Sequence, residues 1–294
     1  RADDAAYRRW FEQHRAKPGD LACQRVASVA FAYRPLVNIV VPCYKTDRVY
    51  LRELLDSVLA QSYDNWELLL MDASPEWDAV SNLAAGAHDE RIRRIELPGN
   101  GGIVLNTNAG IEQAMGDYIA FLDHDDILEP DALFHYVSAL NKAAEGERPQ
   151  VLCCDEDMFQ KTGEWGQPVF KTRLNADLLY SHNCVTHFLM VEKALIDRIG
   201  MSPEDVAGAQ DYDLTLRCLA AGARFEHVAH VLTGVCTPVP PPTDLPIASR
   251  MLLKPGALRF SATLTRWAFA ERPRRPRRRL STVCAMRCQS PRRW

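Results

Sequence analysis

Four times in the first half of the chain, a short run of apolar or β-branched residues precedes a helical pattern. The runs are 37–41 (VNIVV), 66–71 (WELLLM), 92–97 (IRRIEL) and 118–122 (YIAFL). Strands that read as nearly continuous apolar runs are those buried between two helical layers. Between the first two runs, Leu51, Leu54, Leu55, Val58 and Leu59 recur at three- and four-residue spacing, which is one face of a helix. A Gly-rich turn, PGNGG, opens the helix after the third run. Pro130 stands near the start of the next helix, periodic in Leu133, Val137 and Leu140. Alternating strands and helices predict a mostly parallel central sheet flanked by helices, with right-handed crossovers.

From about 150 to 232 the pattern is less regular. It predicts a strand at VLCC, an acidic turn at DEDMF and a loop carrying Trp165. Helices are expected at NADLLYSHN, VEKALIDRIG and DYDLTLRCLAAG, the last closed by Gly222, before a strand-like RFEHVAHVL. Beyond Leu232 the text is rich in Pro and Arg and has no amphipathic period, so 233–294 is expected to be a poorly ordered tail. Only SRMLLKPGALRFSATLTRWAFA reads there as a short helical piece. The expected organisation is a lead-in at 1–36, a domain at 37–232 divided into halves at 37–127 and 128–232, and the tail.

Composition narrows the class. With 294 residues, 47% hydrophobic and 25% charged, the chain can bury a sizeable core. No apolar run reaches the length of a membrane span, and RADDAAYRRWFEQHR does not read as a signal peptide. Without an initiator Met, the sequence is expected to begin within a longer chain. Nine scattered Cys, with no paired C-x-x-C spacing, read as reduced thiols of a cytosolic protein. The net charge of −3 hides an asymmetry: from Thr243 onward thirteen Lys/Arg face two acids, giving +11 and leaving −14 for the rest. An acidic body argues against nonspecific nucleic-acid binding by the folded part. The basic tail reads either as a solvated run or as a contact for nucleic acid or anionic lipid.

Ligands of a parallel sheet bind outside the carboxyl ends of its strands. Several polar signals fall there: VPCY after the first strand, Asp72 after the second, GNGG after the third and DHDD after the fourth. Asp123 and Asp125, two residues apart, would point to one side of an extended backbone and offer oxygen ligands to Mg2+ or Mn2+. His124 would then point away into packing. Alternatively, Asp125, Asp126 and Glu129 serve the dipole of the following helix. Asp72 either accepts an N–H from a nucleobase or closes an Asx-turn or helix cap. GNGG has neither P-loop nor dinucleotide spacing. In GAQDYDLTLR, Asp211 is a candidate base or a helix cap, and Asp213 and Arg217 form an i,i+4 pair.

Together VPCYKTDRVYLRELLDSVLAQSYDNWELLLMDAS, LDHDD, DED and GAQDYDLTLR resemble glycosyltransferase family 2 proteins of the GT-A fold, from about Tyr7 to Leu232. The nearest look is to bacterial members that build O-antigen, capsule or related surface polysaccharide of the cell envelope. The resemblance implies an inverting, metal-dependent glycosyltransferase that moves a hexose or deoxyhexose from a UDP-, GDP- or dTDP-sugar to a glycan or lipid-linked acceptor. It would be cytoplasmic or peripheral at the inner face of the membrane. It places the nucleotide-sugar on Pro42, Tyr44, Asp72, Gly102, Asn108 and Asp123, with Asp72 at the base and Asp123 at the ribose. Asp125, with Asp123, would bind Mg2+ or Mn2+ in the DxD motif, Asp211 would be the catalytic base, and Asp155, Glu156 and Asp157 would line the acceptor side. Met71 stands where many members have a second aspartate, and Gln210 where Glu is usual. After HVL the aromatic residue, Trp-Arg pair and His of such relatives are missing, as a shift of reading frame just after Leu232 would produce. Two rival functions follow: an inactive or binding-only remnant with that altered C-terminus, and a sugar nucleotidyltransferase.

Overall fold

The computed structural model describes residues 2–160 and 165–237. The chain opens with two helices within the expected lead-in, α1 (Ala2–His14) and α2 (Pro18–Val29). Then come β1 (Val37–Cys43), α3 (Arg48–Leu59), β2 (Trp66–Asp72), α4 (Ala79–Gly86), β3 (Ile92–Glu96), α5 (Ile103–Gln113) and β4 (Tyr118–Phe121). These four strands are parallel and lie in the order β3-β2-β1-β4. Their two-sided burial explains the apolar runs. On β1, Val37, Ile39 and Val41 pack with Leu51, Leu54, Leu55 and Val58 of α3, while Val40 joins Ile111 of α5 on the other face. Leu59 stays half-buried at the edge of the α3 face. Asp47 caps α3 by accepting from the Val49 N–H at 2.8 Å. A Cβ on Gly110 would stand 2.4 Å from Val40 Cγ1, so the close approach of α5 to β1 requires glycine there.

The second half is mixed. It contains β5 (Ile127–Leu128), α6 (Ala132–Lys142), β6 (Val151–Gln160), β7 (Trp165–Val169), α7 (Ala176–Ser181), β8 (Met190–Glu192), α8 (Lys193–Ile199), α9 (Gln210–Ala220) and β9 (Phe225–Thr237). β8 runs antiparallel to both β4 and β6, β9 parallel to β6, β5 antiparallel to β9, and β7 antiparallel to β6. The sheet order is β3-β2-β1-β4-β8-β6-β9-β5, with β7 beside β6. Gly222, at φ +71, ends the α9 turn in the left-handed region.

Three expectations need correction. DEDMF is not a turn but the continuation of β6, and Asp155, Glu156 and Asp157 are buried in it. A strand accepts such a run when each carboxylate finds a partner from a distant segment, which local patterning does not reveal. The last strand continues past Leu232 to Thr237, pairing with β6 and with Ile127 and Leu128, and Thr233, Val235 and Cys236 are buried. Where a loop was expected at Trp165, β7 begins. The rest of the tail, 238–294, with its helical piece, lies outside the described residues. No described helix is long and apolar enough to cross a membrane.

Candidate functional site

Parallel register brings the ends of the first strands level: Cys43 pairs with Asp72, and Asp72 with Glu96. Asp72 is fully buried. Its Oδ2 accepts from Arg94 Nε at 2.7 Å, and its Oδ1 from the Ser74 N–H at 3.1 Å. The Asx-type turn of the sequence reading is present, with the second carboxylate oxygen held by Arg94. The Arg94 guanidinium, which also reaches Glu96 at 3.1 Å, was not singled out from the sequence. Its signal is a pair of cations, Arg93 and Arg94, inside a short β-strand. Pro42 is half-buried at the end of β1, and Tyr44 is 43% exposed with Lys45 Nζ 5.4 Å over its ring.

The Gly-rich turn is held from within. Gly102 caps α5 at φ +85 and donates its N–H to Asn100 Oδ1 at 2.9 Å. Buried Asn106 accepts from the Gly101 N–H at 3.3 Å and donates to Asn100 Oδ1 at 3.0 Å. Asn108 turns its amide elsewhere, donating to the Ser202 carbonyl at 2.8 Å. It joins α5 to the segment before α9.

After β4 the backbone does not stay extended. The Asp126 N–H donates to the Asp123 carbonyl at 3.1 Å and closes a turn over His124 and Asp125. The two-residue alternation expected to align Asp123 with Asp125 does not operate through such a turn. Instead, one ligand atom each of Asp123, Asp126 and His187 lie within 4.8 Å of one another, the only such group among the described residues. Asp126 precedes β5 rather than a helix, and Asp131 occupies the cap position of α6, so the helix-dipole alternative does not describe this cluster. Asp126 is 2% exposed. Its Oδ1 accepts from the Cys236 N–H at 3.1 Å, and its Oδ2 has no partner among the described residues. Burial, then the nearby acids, push its carboxyl well above the usual range against the pull of His187. Asp123 keeps an exposed edge, yet desolvation by the walls of the site, and then the charges of Asp125 and Asp211, also raise it, opposed by His187 and His124.

His187 comes from the irregular segment after α7, where sequence pattern carries no signal. Burial would lower its imidazole, but the Glu156 hydrogen bond at 3.2 Å and the charges of Asp126, Glu156 and Asp123 raise it to about 9. Glu156 Oε2 also accepts from the His187 N–H at 3.2 Å and meets Lys171 Nζ at 2.8 Å. Burial acts to raise the Glu156 carboxyl, but His187 and Lys171 together hold it at about 2. Its neighbours are committed too. Asp155 meets His227 Nε2 at 2.7 Å and accepts from the Lys171 N–H at 2.7 Å. Asp157 accepts from the Tyr7 hydroxyl at 2.8 Å and from the Gln167 N–H at 2.8 Å. All three are internal, so none of them lines an open acceptor surface directly.

Asp211 lies in the first turn of α9, but Ala209 occupies the cap position and no side chain caps the helix. The Asp211 carboxylate instead takes a hydrogen bond on Oδ2 from Asn183 Nδ2 at 3.0 Å. Asp213 pairs with Arg217 Nε at 2.8 Å, the i,i+4 contact expected from spacing. The arrangement thus gathers Asp123 and Asp126 around the His187 imidazole, which Glu156 holds from its other side.

A model of glycosyl transferase family 2 matches residues 38–200, more than half of the chain. An uncharacterized Sinorhizobium fredii protein, y4gI, is 37% identical over 236 residues, which is 78% of this chain and 25% of that protein. The O-antigen biosynthesis protein RfbC of Myxococcus xanthus is 32% identical over 218 residues, 74% of this chain and 17% of that one. The chain therefore spans a quarter or less of either relative. Among solved structures, S. aureus TarS 1-349 in complex with UDP-GlcNAc aligns at TM-score 0.57 and 20% identity, covering 70% of this chain and 59% of that one. Mannosyltransferase PcManGT from Pyrobaculum calidifontis, in complex with GDP-Man and Mn2+, aligns at 0.54 and 21%, covering 76% and 66%. At these identities the likeness is one of fold.

Proposed function

The chain belongs to glycosyl transferase family 2 and has the GT-A fold, and from that premise we propose that it transfers a sugar, with inversion, from a nucleotide-sugar to a hydroxyl of a glycan or lipid-linked acceptor in surface polysaccharide synthesis. The names of the Myxococcus relative and of the two ligand-bound structures support this reading. The observation that carries it is the meeting of the two halves just beyond β4, where ligand atoms of Asp123, Asp126 and His187 lie within 4.8 Å of one another.

In this reading Asp72, held by Arg94, meets the nucleobase, and Pro42, Tyr44 and Gly102 line the same row of strand ends. Asp123 faces the ribose and diphosphate. The residues fit a divalent ion, because the buried Asp126 Oδ2 has no partner among the described residues and points to a need for positive charge. Asp123, Asp126 and His187 would hold it, with Asp125 beside them. Two carboxylates and an imidazole suit Mn2+ better than Mg2+. The ion would supply neutralisation of the charge that develops on the departing diphosphate. His187 would be oriented for this by Glu156, which meets its Nδ1 and would turn Nε2 toward the ion. Asp211 takes the proton from the acceptor hydroxyl as that oxygen attacks the anomeric carbon.

Calorimetry of the full chain with UDP-GlcNAc and with GDP-mannose, with Mn2+ or with EDTA, tests the reading. Binding of at least one donor that needs Mn2+ is expected, and Asp125→Ala or Asp126→Ala should remove it, the larger loss naming the second carboxylate ligand. Equal binding in EDTA would refute the ion, and no binding of any nucleotide-sugar would favour the remnant reading.

A further inference from the structure

The segment between α7 and β8 reaches both halves of the site. Near its start Asn183 donates to Asp211, and farther along His187 stands against Asp123 and Asp126. Val185 and Thr186 between them are buried, so the segment is anchored rather than draped over the surface. A second contact fixes the same junction: the Tyr212 hydroxyl, next to Asp211, donates to the Leu179 carbonyl at 2.5 Å and ties α9 to α7. The Asn183 amide is thus presented to Asp211 by two packed helices. Its own Oδ1 is buried and has no partner among the described residues. A buried amide oxygen left unsatisfied costs about 1–3 kcal/mol, and in a polar site it commonly awaits a ligand or water.

We infer that Asn183 is the positioning residue of the proposed base, and that its free Oδ1 receives a hydrogen bond from the acceptor. The inference rests on Asp211 being that base. Asn183 Nδ2 holds Asp211 Oδ2, so the carboxylate cannot rotate freely and Oδ1 remains as its basic atom. In the transfer step the acceptor O–H proton passes to Asp211 Oδ1. The acceptor oxygen forms its bond to the anomeric carbon, and the bond from that carbon to the phosphate oxygen breaks, its electron pair leaving with the nucleoside diphosphate. Asn183 takes no proton. It sets which Asp211 oxygen faces the acceptor, and it stabilises the charged carboxylate before the proton arrives.

The test uses the full chain as wild type, Asn183→Ala, the isosteric Asn183→Asp, Asn183→Gln and Asp211→Asn, each checked for folding by circular dichroism. Release of UDP from UDP-GlcNAc or GDP from GDP-mannose with Mn2+ follows chemistry on water. Asn183→Ala is expected to lower kcat about tenfold at constant KM, the worth of one lost hydrogen bond. Asn183→Asp, which sets a like charge beside Asp211, should lower kcat further, and Asn183→Gln should restore part of the loss. An unchanged kcat in both Asn183→Ala and Asn183→Asp would overturn the inference. A wild type that releases neither nucleotide would overturn the function on which the inference rests. Full hydrolysis by Asp211→Asn would instead overturn the base itself. Loss in Asp211→Asn with none in Asn183→Ala would leave the base standing and remove only the role of Asn183.

Discussion

The two halves of the sheet are held by different forces. The half built from β1 to β4 is parallel, and β1, β2 and β4 are buried on both faces largely by apolar side chains. The half built around β6 and β9 is mixed in direction and buries acids within the strand itself: Asp155 against His227, Glu156 against Lys171 and His187, Asp157 against Tyr7. Even the first helices serve this second half, since Arg15 meets Glu129 at 2.7 Å and Tyr7 reaches Asp157. The first half is therefore largely apolar within its strands, apart from a seam in which buried Asn38 donates to Glu67 and Arg93 pairs with Glu67. In the second half, shape depends on matched charges from segments far apart in sequence. Such matching is sensitive to the loss of one member, whereas an apolar core responds to volume.

That contrast can be broken at several points. The largest effect is expected where the acceptor side meets the chemistry: Asp211→Asn should lower sugar transfer, or donor hydrolysis when no acceptor is present, by about 10²–10⁴-fold while leaving nucleotide-sugar affinity unchanged in calorimetry. Weakened donor binding of the same size would assign Asp211 to the donor instead.

Next comes stability. Glu156→Ala leaves Lys171 and the His187 imidazolium buried without their carboxylate, and should cost about 3–5 kcal/mol in urea unfolding. A loss under about 1 kcal/mol would mean that the acceptor half is held by packing like its neighbour.

A related pH dependence is expected in the ion-free protein. The Glu156 carboxyl is held at about 2 when folded and starts from 4.5 as its ordinary value. As pH falls, the unfolded chain binds this proton first, so the contribution is complete above 4.5 and fades as pH falls toward about 2. The expected loss over that window is about 3 kcal/mol, read from urea midpoints, and it should shrink in Glu156→Gln. An identical acid loss in that variant would assign the effect to other carboxylates.

The smallest expected change is on the donor side. Gly110→Ala forces a methyl against Val40 and should cost about 1–3 kcal/mol through overpacking, independent of pH. A marked pH dependence of that cost would show that the two halves do not separate as described.

The sequence by itself was enough for the first half of the sheet. The first four strands fall within one or two residues of their expected positions, and α3 buries Leu51, Leu54, Leu55 and Val58 as its period requires. Asp72 and Asp123 stand at or just beyond strand ends, as alternation of strand and helix places them. These features are local, because apolar period and chain direction are properties of adjacent residues. Only the tertiary structure decided which groups share the site. It put Asp126 and His187 beside Asp123 through a turn, turned Asn108 toward Ser202, buried Asp155 to Asp157 inside a strand and set Asn183 against Asp211. Each of those outcomes depends on contacts between segments that the chain order separates. A charge hidden inside a fold takes its role from the partner that arrives beside it, and no short window of sequence contains both.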